Sequence, residues 1–494
     1  MLLHGGPGQG NLLPYLGKGV ALSILEHELW QWLSLLQHEL LLFAGVFFLI
    51  GALDDVAVDV AWMWLRATGR TMTVHCSRIA LRQHSLSGPV AVLIPAWQEA
   101  AVIGQTIRHL LETWPQPDMR LYVGCYRNDP ATLGAGVAAA RNDPRLRLVI
   151  LGHDGPTTKA DCLNRLYAAL ALDEERSGRR FAFAVFHDAE DMVDPGALGL
   201  LDETIAAGAD FVQLPVEPLV PRQRSWIARQ IGSHYCEEFA EAHGKAMMVR
   251  DALGAGLPGA GVGCAASRRA LDRLVARQSG GLPFASDSLT EDYELGLAIA
   301  AAGGRCRFVR ARGEDGRLVA TRAFFPHRFD TAVRQKSRWV LGIALQGWDR
   351  VGWAGGVAEY WMRARDRRGP MTALVLLVGY GLVLLTGVMG VMVVTGVAGP
   401  VPLTPLLKGV LIANGVAFAW RIAMRFAFTA REYGLAEGMR AVLRVPLANI
   451  IAIIAGRRAI LAYVQTLSGH AALWDKTDHD AHPAQTALLG QAQP

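Results

Sequence analysis

The chain has 494 residues, 51% of them hydrophobic and only 19% charged, with a mean hydropathy of +0.22. These values exclude a disordered chain and argue against a purely soluble enzyme, yet they are too polar for membrane helices alone; they suit a large soluble domain joined to a few spans. The net charge of +5, from 49 basic and 44 acidic residues, comes with no basic tract, which argues against a nucleic-acid partner and suits contact with anionic membrane lipid.

Residues 1–39 read as an N-terminal arm on the outer side, without the charged n-region of a cleavable signal peptide. The first predicted membrane helix covers 40–65. Asp54, Asp55 and Asp59 interrupt it, as an ion site within the membrane or as a helix that has already reached the cytosolic interface. The second reading is favoured, because 40–53 carries no charge. The six cysteines (Cys76, Cys125, Cys162, Cys236, Cys264 and Cys306) fall in the central region and form no C-x-x-C pair. They read as reduced cytosolic thiols and not as a zinc site.

From 88 to 330 apolar runs of strand type alternate with helical patterns. Pro89 to Pro95, Arg120 to Tyr126, Arg147 to Leu151 and Phe181 to His187 are the strands, and Ile103, Ile107, Leu110 and Leu111 mark a helix after the first. Near-continuous apolar strands separated by helices predict a parallel α/β sheet covered on both faces. Ligands bind such sheets beyond the carboxyl ends of the strands, and polar clusters stand there: Pro95-Ala-Trp-Gln-Glu99, Tyr126-Arg-Asn-Asp129, Lys159 to Asn164, and His187-Asp-Ala-Glu-Asp191. Asp188 and Glu190, two apart on an extended segment, point the same way and suit a hard divalent ion, Mg²⁺ or Mn²⁺. Alone, D-x-E is as well read as a solvated turn; its place at a strand end strengthens it. Ser288 and Glu291 fit a capping box opening a helix from Tyr293 to Ala302. Asp292 then sits on the first turn, where it could accept a proton from an attacking hydroxyl.

Residues 331–370 read as interfacial helices. Gln335, Arg338 and Trp339 lie there at helical spacing: an arginine to neutralise a leaving diphosphate and an indole to face a sugar ring, or ordinary interfacial anchors. Residues 371–407 contain no Asp, Glu, Lys or Arg. One helix of that length would reach about 55 Å, against a hydrocarbon core of about 30 Å, so Gly399-Pro-Val-Pro402 breaks it into spans at 371–397 and 404–428. Basic residues cluster after the first span, before the second and beyond the third, which turns the central region to the cytosol. Within 429–494, Val445 to Leu467 holds Arg457 and Arg458 at its middle and reads as a cytosolic interfacial helix followed by a polar tail.

Taken in order, these motifs resemble the family 2 glycosyltransferases, the membrane-bound inverting enzymes that include cellulose and hyaluronan synthases. The resemblance runs from Pro89 to Trp348 and rests on Pro95 to Glu99, Asp129, Lys159, Asp188-Ala-Glu190, Thr290-Glu-Asp292 and Gln335-x-x-Arg338-Trp339. Gly124 to Pro130, His187 to Asp191, Arg334 to Gly342 and Trp474-Asp-Lys-Thr-Asp-His479 further resemble the glycosyltransferase part of the phage adsorption protein B family. That family often continues into a domain binding cyclic di-GMP, for which this sequence leaves no room.

The resemblance implies a GT-A-like cytosolic domain with a Rossmann-like mixed sheet, about three transmembrane helices and interfacial helices, at a bacterial inner membrane. It implies a metal-dependent hexosyltransferase taking a nucleotide-sugar donor, a UDP-sugar, and extending a polysaccharide, with an outer-membrane export protein as a partner. Single-sugar transfer to a lipid-linked acceptor and a non-catalytic export scaffold are the alternatives. Carried over by residue, Glu99, Asp129, Lys159 and Asp188 bind the nucleotide sugar, and Asp188 and Glu190 hold Mg²⁺ or Mn²⁺. Asp292 is the general base, and Gln335, Arg338 and Trp339 meet the acceptor and the diphosphate. The resemblance also places Gly259 to Cys264 along the sugar cleft. Two departures stand out: the second metal carboxylate is Glu, and Ala323 replaces an expected acid.

Overall fold

The computed structural model describes residues 13–223, 225–278, 280–353, 355–469 and 482–484, with side chains described from Glu28 onward. Residues 1–12 and the Trp474 to His479 motif lie outside them. The chain divides into two units, 1–54 with 374–419, and 55–373 with 420–494.

The first unit is made of helix alone. It takes the outer parts of Leu13–Ala67, Gly369–Val394 and Pro405–Tyr433. The helix that covers 40–65 also includes 28–39. The chain breaks between Val394 and Pro405, across Pro400 and Pro402, and Pro405 opens the next helix, where its missing N–H costs nothing. Gly45 lets two helices close up, since a Cβ there would lie 2.8 Å from Val410 Cγ1. Two polar links cross the apolar packing. The Asn414 amide donates to the Gly45 carbonyl at 2.8 Å, and Gln37 donates to Thr386 Oγ1 at 2.9 Å. Leu53, Val383, Leu384, Val388, Ile412 and Val416 face outward, the composition a lipid-facing surface needs.

The second unit is built on a seven-stranded sheet: β1 (Val90–Ala96), β2 (Met119–Tyr126), β3 (Leu146–Leu151), β4 (Phe183–Phe186), β5 (Phe211–Gln213), β6 (Cys264–Ser267) and β7 (Cys306–Phe308). Their spatial order is β3-β2-β1-β4-β6-β5-β7. The first four strands are parallel, and β5 pairs parallel with β7, but β6 runs antiparallel to both neighbours. The sheet is therefore mixed, and the purely parallel sheet expected from the apolar runs holds only for β1 to β4. Two layers of side chains cover it. One joins Val92, Ile94 and Val185 to Ile103, Ile107 and Leu110; the other joins Leu93, Ala184 and Phe186 to Leu163, Leu166 and Leu170.

After β7 come the helix Phe329–Trp339, a π-helical run Val340–Gln346, and the helices Gly347–Val351 and Val357–Arg367. Val445–Leu467 packs along Phe329–Trp339, burying Ile451, Ala455, Gly456 and Ala459 and leaving Arg457 and Arg458 exposed. It too is long and apolar enough to cross a membrane. Among the described residues four helices meet that description, with Glu28–Ala67, Gly369–Val394 and Pro405–Tyr433.

Candidate active site

A cleft of about 160 Å³ opens at the carboxyl ends of β1 and β4. Trp97 and Glu99 follow β1, Asp188 to Asp191 follow β4, and Lys159 opens the helix Lys159–Ser177. The loop at Ala260 and Val262, residues 288–292, Ala323 to Pro326, and Gln335, Arg338 and Trp339 complete the wall. Glu99, Lys159, Asp188, Glu190, Asp292, Gln335, Arg338 and Trp339 are thus brought together from positions up to 240 residues apart. Asp129 is not among them. Its carboxylate accepts from the Thr132 backbone N–H at 3.2 Å, capping the helix Pro130–Ala140, and from the Gln98 N–H at 2.6 Å. Both oxygens serve backbone donors, so Asp129 shapes the turn that carries Glu99.

The electrostatic centre is Lys159. Its ammonium lies 2.6 Å from Asp188 Oδ1 and 3.6 Å from Glu291 Oε1. Burial opposes this charge, but Asp188, Glu291 and Asp292 outweigh it and hold the lysine above its ordinary range. The carboxylates pay the converse penalty. Burial pushes Glu291 up to about 7, with Lys159 pulling the other way and Asp292 adding to the rise. Burial also raises Asp292, against Lys159 and Arg338. A carboxylate so raised is a better proton acceptor near neutral pH than an exposed one.

Glu291 is a site residue that sequence reasoning assigned to a cap. The expected capping box does not form. The helix is Glu291–Ala301, its N-cap is Thr290 without a side-chain bond, and Ser288 Oγ donates to Glu294 at 2.7 Å. The helix begins two residues earlier than expected, so Ser288 lies outside it and Glu291 turns into the cleft wall. Gln213 was also missed: its amide accepts from Ala260 N–H at 2.8 Å and donates to the Val262 carbonyl at 2.9 Å, clamping the glycine loop. Gly261 needs its freedom, because its φ is +79° and a Cβ would lie 2.6 Å from Asp292 Oδ2.

Trp339 is packed edge-on against Tyr235, with centroids 5.9 Å apart, and Lys336 lies over both rings. The Gln335 amide oxygen meets no donor among the described residues. Gly342, on the π-helical run, abuts Thr290, joining this element to the segment that bears Asp292. Trp97 meets Tyr126 edge-on at 5.1 Å, and the Tyr126 hydroxyl bonds Thr157 at 2.7 Å, which makes a rigid aromatic wall. Among the described residues no group of three His, Cys, Asp or Glu could hold a metal by itself. Two carboxylates at a strand end still fit Mg²⁺ or Mn²⁺, which commonly completes its shell with phosphate oxygens and water. In this structure Asp188 pairs with Lys159 instead.

The sequence matches a family described as "Glycosyltransferase like family 2" over residues 88–342. It is 32% identical over 468 residues to bacteriophage adsorption protein B of Escherichia coli K12, and equally to bacteriophage N4 adsorption protein B of E. coli O157:H7. These matches cover 88% of this chain, which spans 61% of the length of those relatives. Among solved structures, the mannosyltransferase of Pyrobaculum calidifontis in complex with GDP-Man and Mn²⁺ is 16% identical, covering 83% of this chain and 98% of that one, with a TM-score of 0.46. Glucosyl-3-phosphoglycerate synthase of Mycobacterium tuberculosis, with Mn²⁺, UDP and phosphoglyceric acid, is 20% identical, covering 57% and 87%, with a TM-score of 0.35. With the motif order, the mixed sheet and the cleft in agreement with the match over 88–342, the chain belongs to glycosyltransferase family 2.

Proposed function

We propose that this glycosyltransferase is an inverting enzyme of a bacterial inner membrane, its cleft on the cytosolic side, that transfers a sugar from a UDP-sugar to a growing polysaccharide. One observation carries the reading: a raised, cleft-facing Asp292 shares Lys159 with Asp188, in the cleft that Arg338 and Trp339 also line. Asp292 takes the proton of the acceptor hydroxyl. The oxygen attacks the anomeric carbon as the bond to the diphosphate breaks, and the configuration inverts. Lys159 and Arg338 meet the charge that appears on the leaving nucleoside diphosphate, and Trp339 presents a flat face to the acceptor sugar. Asp188 and Glu190 would hold Mg²⁺ or Mn²⁺, which, when bound, neutralises part of the same diphosphate charge. Trp97 and Tyr126 wall the side where the nucleotide lies, and Glu99 stands at that edge.

The test is to incubate membranes containing the protein with labelled nucleotide sugars and Mg²⁺ or Mn²⁺, and to size the products. A high-molecular-weight product that needs the metal and is absent from the Asp292→Asn variant is expected. A short, lipid-extractable product would replace the polysaccharide by a lipid-linked acceptor. Equal product from Asp292→Asn would overturn the base assignment.

A further inference from the structure

A short piece of the C-terminal region, His482 to Ala484, is placed against the catalytic domain next to the turn that bears Asp188 and Glu190. The His482 side chain has no exposed surface, and its ring lies 5.8 Å from that of His109. His482 Nδ1 accepts from the Ala484 backbone N–H at 3.1 Å. The ring proton is therefore on Nε2, which donates to the Asp191 carbonyl at 3.0 Å. Asp191 is itself the pivot of the turn. Its buried carboxylate accepts from the Asp188 backbone N–H at 2.9 Å and bonds His187 Nδ1 at 2.8 Å. The Thr106 hydroxyl donates to the Ala189 carbonyl, and His109 Nε2 bonds the Val193 carbonyl at 3.1 Å. Every backbone anchor of the turn but one thus comes from the α/β core or from the turn itself; the exception comes from a residue almost 300 positions later.

We propose that His482 is a positioning residue for the reaction: by holding the Asp191 carbonyl it fixes the turn that aims Asp188 and Glu190 into the cleft. The proposal rests on the reading of those two carboxylates as the metal and diphosphate site. A carboxylate pair that must share one ion works only when its spacing is held, and partners that orient ligands affect affinity without touching the ion. His482 stands three residues beyond the Trp474 to His479 motif, a part of the chain that the cleft residues leave without a role.

The test compares His482→Ala, His482→Gln and Asp188→Asn in the full chain, purified in detergent. Amide hydrogen exchange of peptides covering 187–193 reads the turn directly. His482→Ala is expected to speed exchange there by about tenfold and to leave 291–301 unchanged. His482→Gln, which keeps an N–H at the position of Nε2, is expected to restore it. Mn²⁺ binding, read by the paramagnetic signal of the free ion, should weaken about tenfold in His482→Ala and recover in His482→Gln. Unchanged exchange in His482→Ala would overturn the proposal. So would faster exchange across the whole domain in both His482 variants, which marks a structural plug and not a positioning residue. If Asp188→Asn binds Mn²⁺ as the unsubstituted protein does, the metal reading fails on its own, and the exchange of 187–193 still decides the role of His482.

Discussion

Two groups of buried charge lie in the same unit and behave in opposite ways. In the cleft, Asp188, Glu291 and Asp292 share Lys159. Around the helix Trp226–Glu241, cations are plentiful. Glu241 meets Lys245 at 2.8 Å and Arg421 at 2.9 Å; Glu437 meets Arg444 at 2.6 Å and Arg440 at 3.0 Å; Glu237 meets Arg444 at 2.7 Å. Burial works against every one of these carboxylates. In the second group the cations outweigh it for Glu241 and Glu437, which fall below their ordinary range, while for fully enclosed Glu237 burial still prevails over Arg444. In the cleft burial wins for both Glu291 and Asp292. An acid left short of positive charge is kept ready to take a proton, whereas an acid with charge to spare holds helices together.

Substitutions can break this contrast. The largest effect is expected at Asp292. Asp292→Asn should lower transfer by about 10³-fold, the loss of a general base, while nucleotide binding by calorimetry and the Tm stay unchanged. A Tm that fell instead would place Asp292 among the architectural acids. Next comes Arg444→Met. It strips Glu237 and Glu437 of a shared partner and should cost about 3 kcal/mol of stability in denaturant titrations, with transfer per folded molecule unchanged.

The smallest effect sharpens the contrast through pH. Glu291 binds its proton more tightly folded than unfolded, rising from 4.5 to about 7. Its protonated form suits the fold, so stability from this group is fullest below pH 4.5 and is lost as pH rises through about 7. Glu291→Gln cannot ionise and escapes that loss. Thermal scans should show no change at pH 5 and a gain of about 2 °C at pH 8. A variant less stable at pH 8 would show that the contact with Lys159 exceeds the burial penalty.

The legible parts of the fold were those with long, uniform signals. β1, β2, β3 and β4 announce themselves as runs of Val, Ile, Leu and Phe, and their expected bounds fall within two residues of the observed ones. β5, β6 and β7 have three or four residues, and β6 is Cys-Ala-Ala-Ser, with no β-branched or large side chain. Nothing local marks such a strand or its direction; its neighbours on the sheet decide both. The cleft was legible where chemistry is concentrated at strand ends, as at Asp188 and Glu190. Asp129 and Glu291 show the limit. Both are acids at the start of a helix, and sequence alone does not say which caps and which faces the cleft. The answer depends on the two-residue shift of one helix start and on where the Gln98 N–H lies.

The π-helical run from Val340 to Gln346 carries a consequence for insertions and deletions. A π turn holds one residue more than the α ladder accommodates. Removing any single residue between 340 and 346 would let the segment relax into ordinary helix and rotate everything after it by about 100°. Gly342 is the residue that abuts Thr290, two positions before Asp292, and Gly347–Val351 follows directly. Lineages of this enzyme are therefore freer to exchange side chains in this stretch than to change its length. A one-residue gap here would mark a protein that has given up the alignment of its acceptor helix with its base.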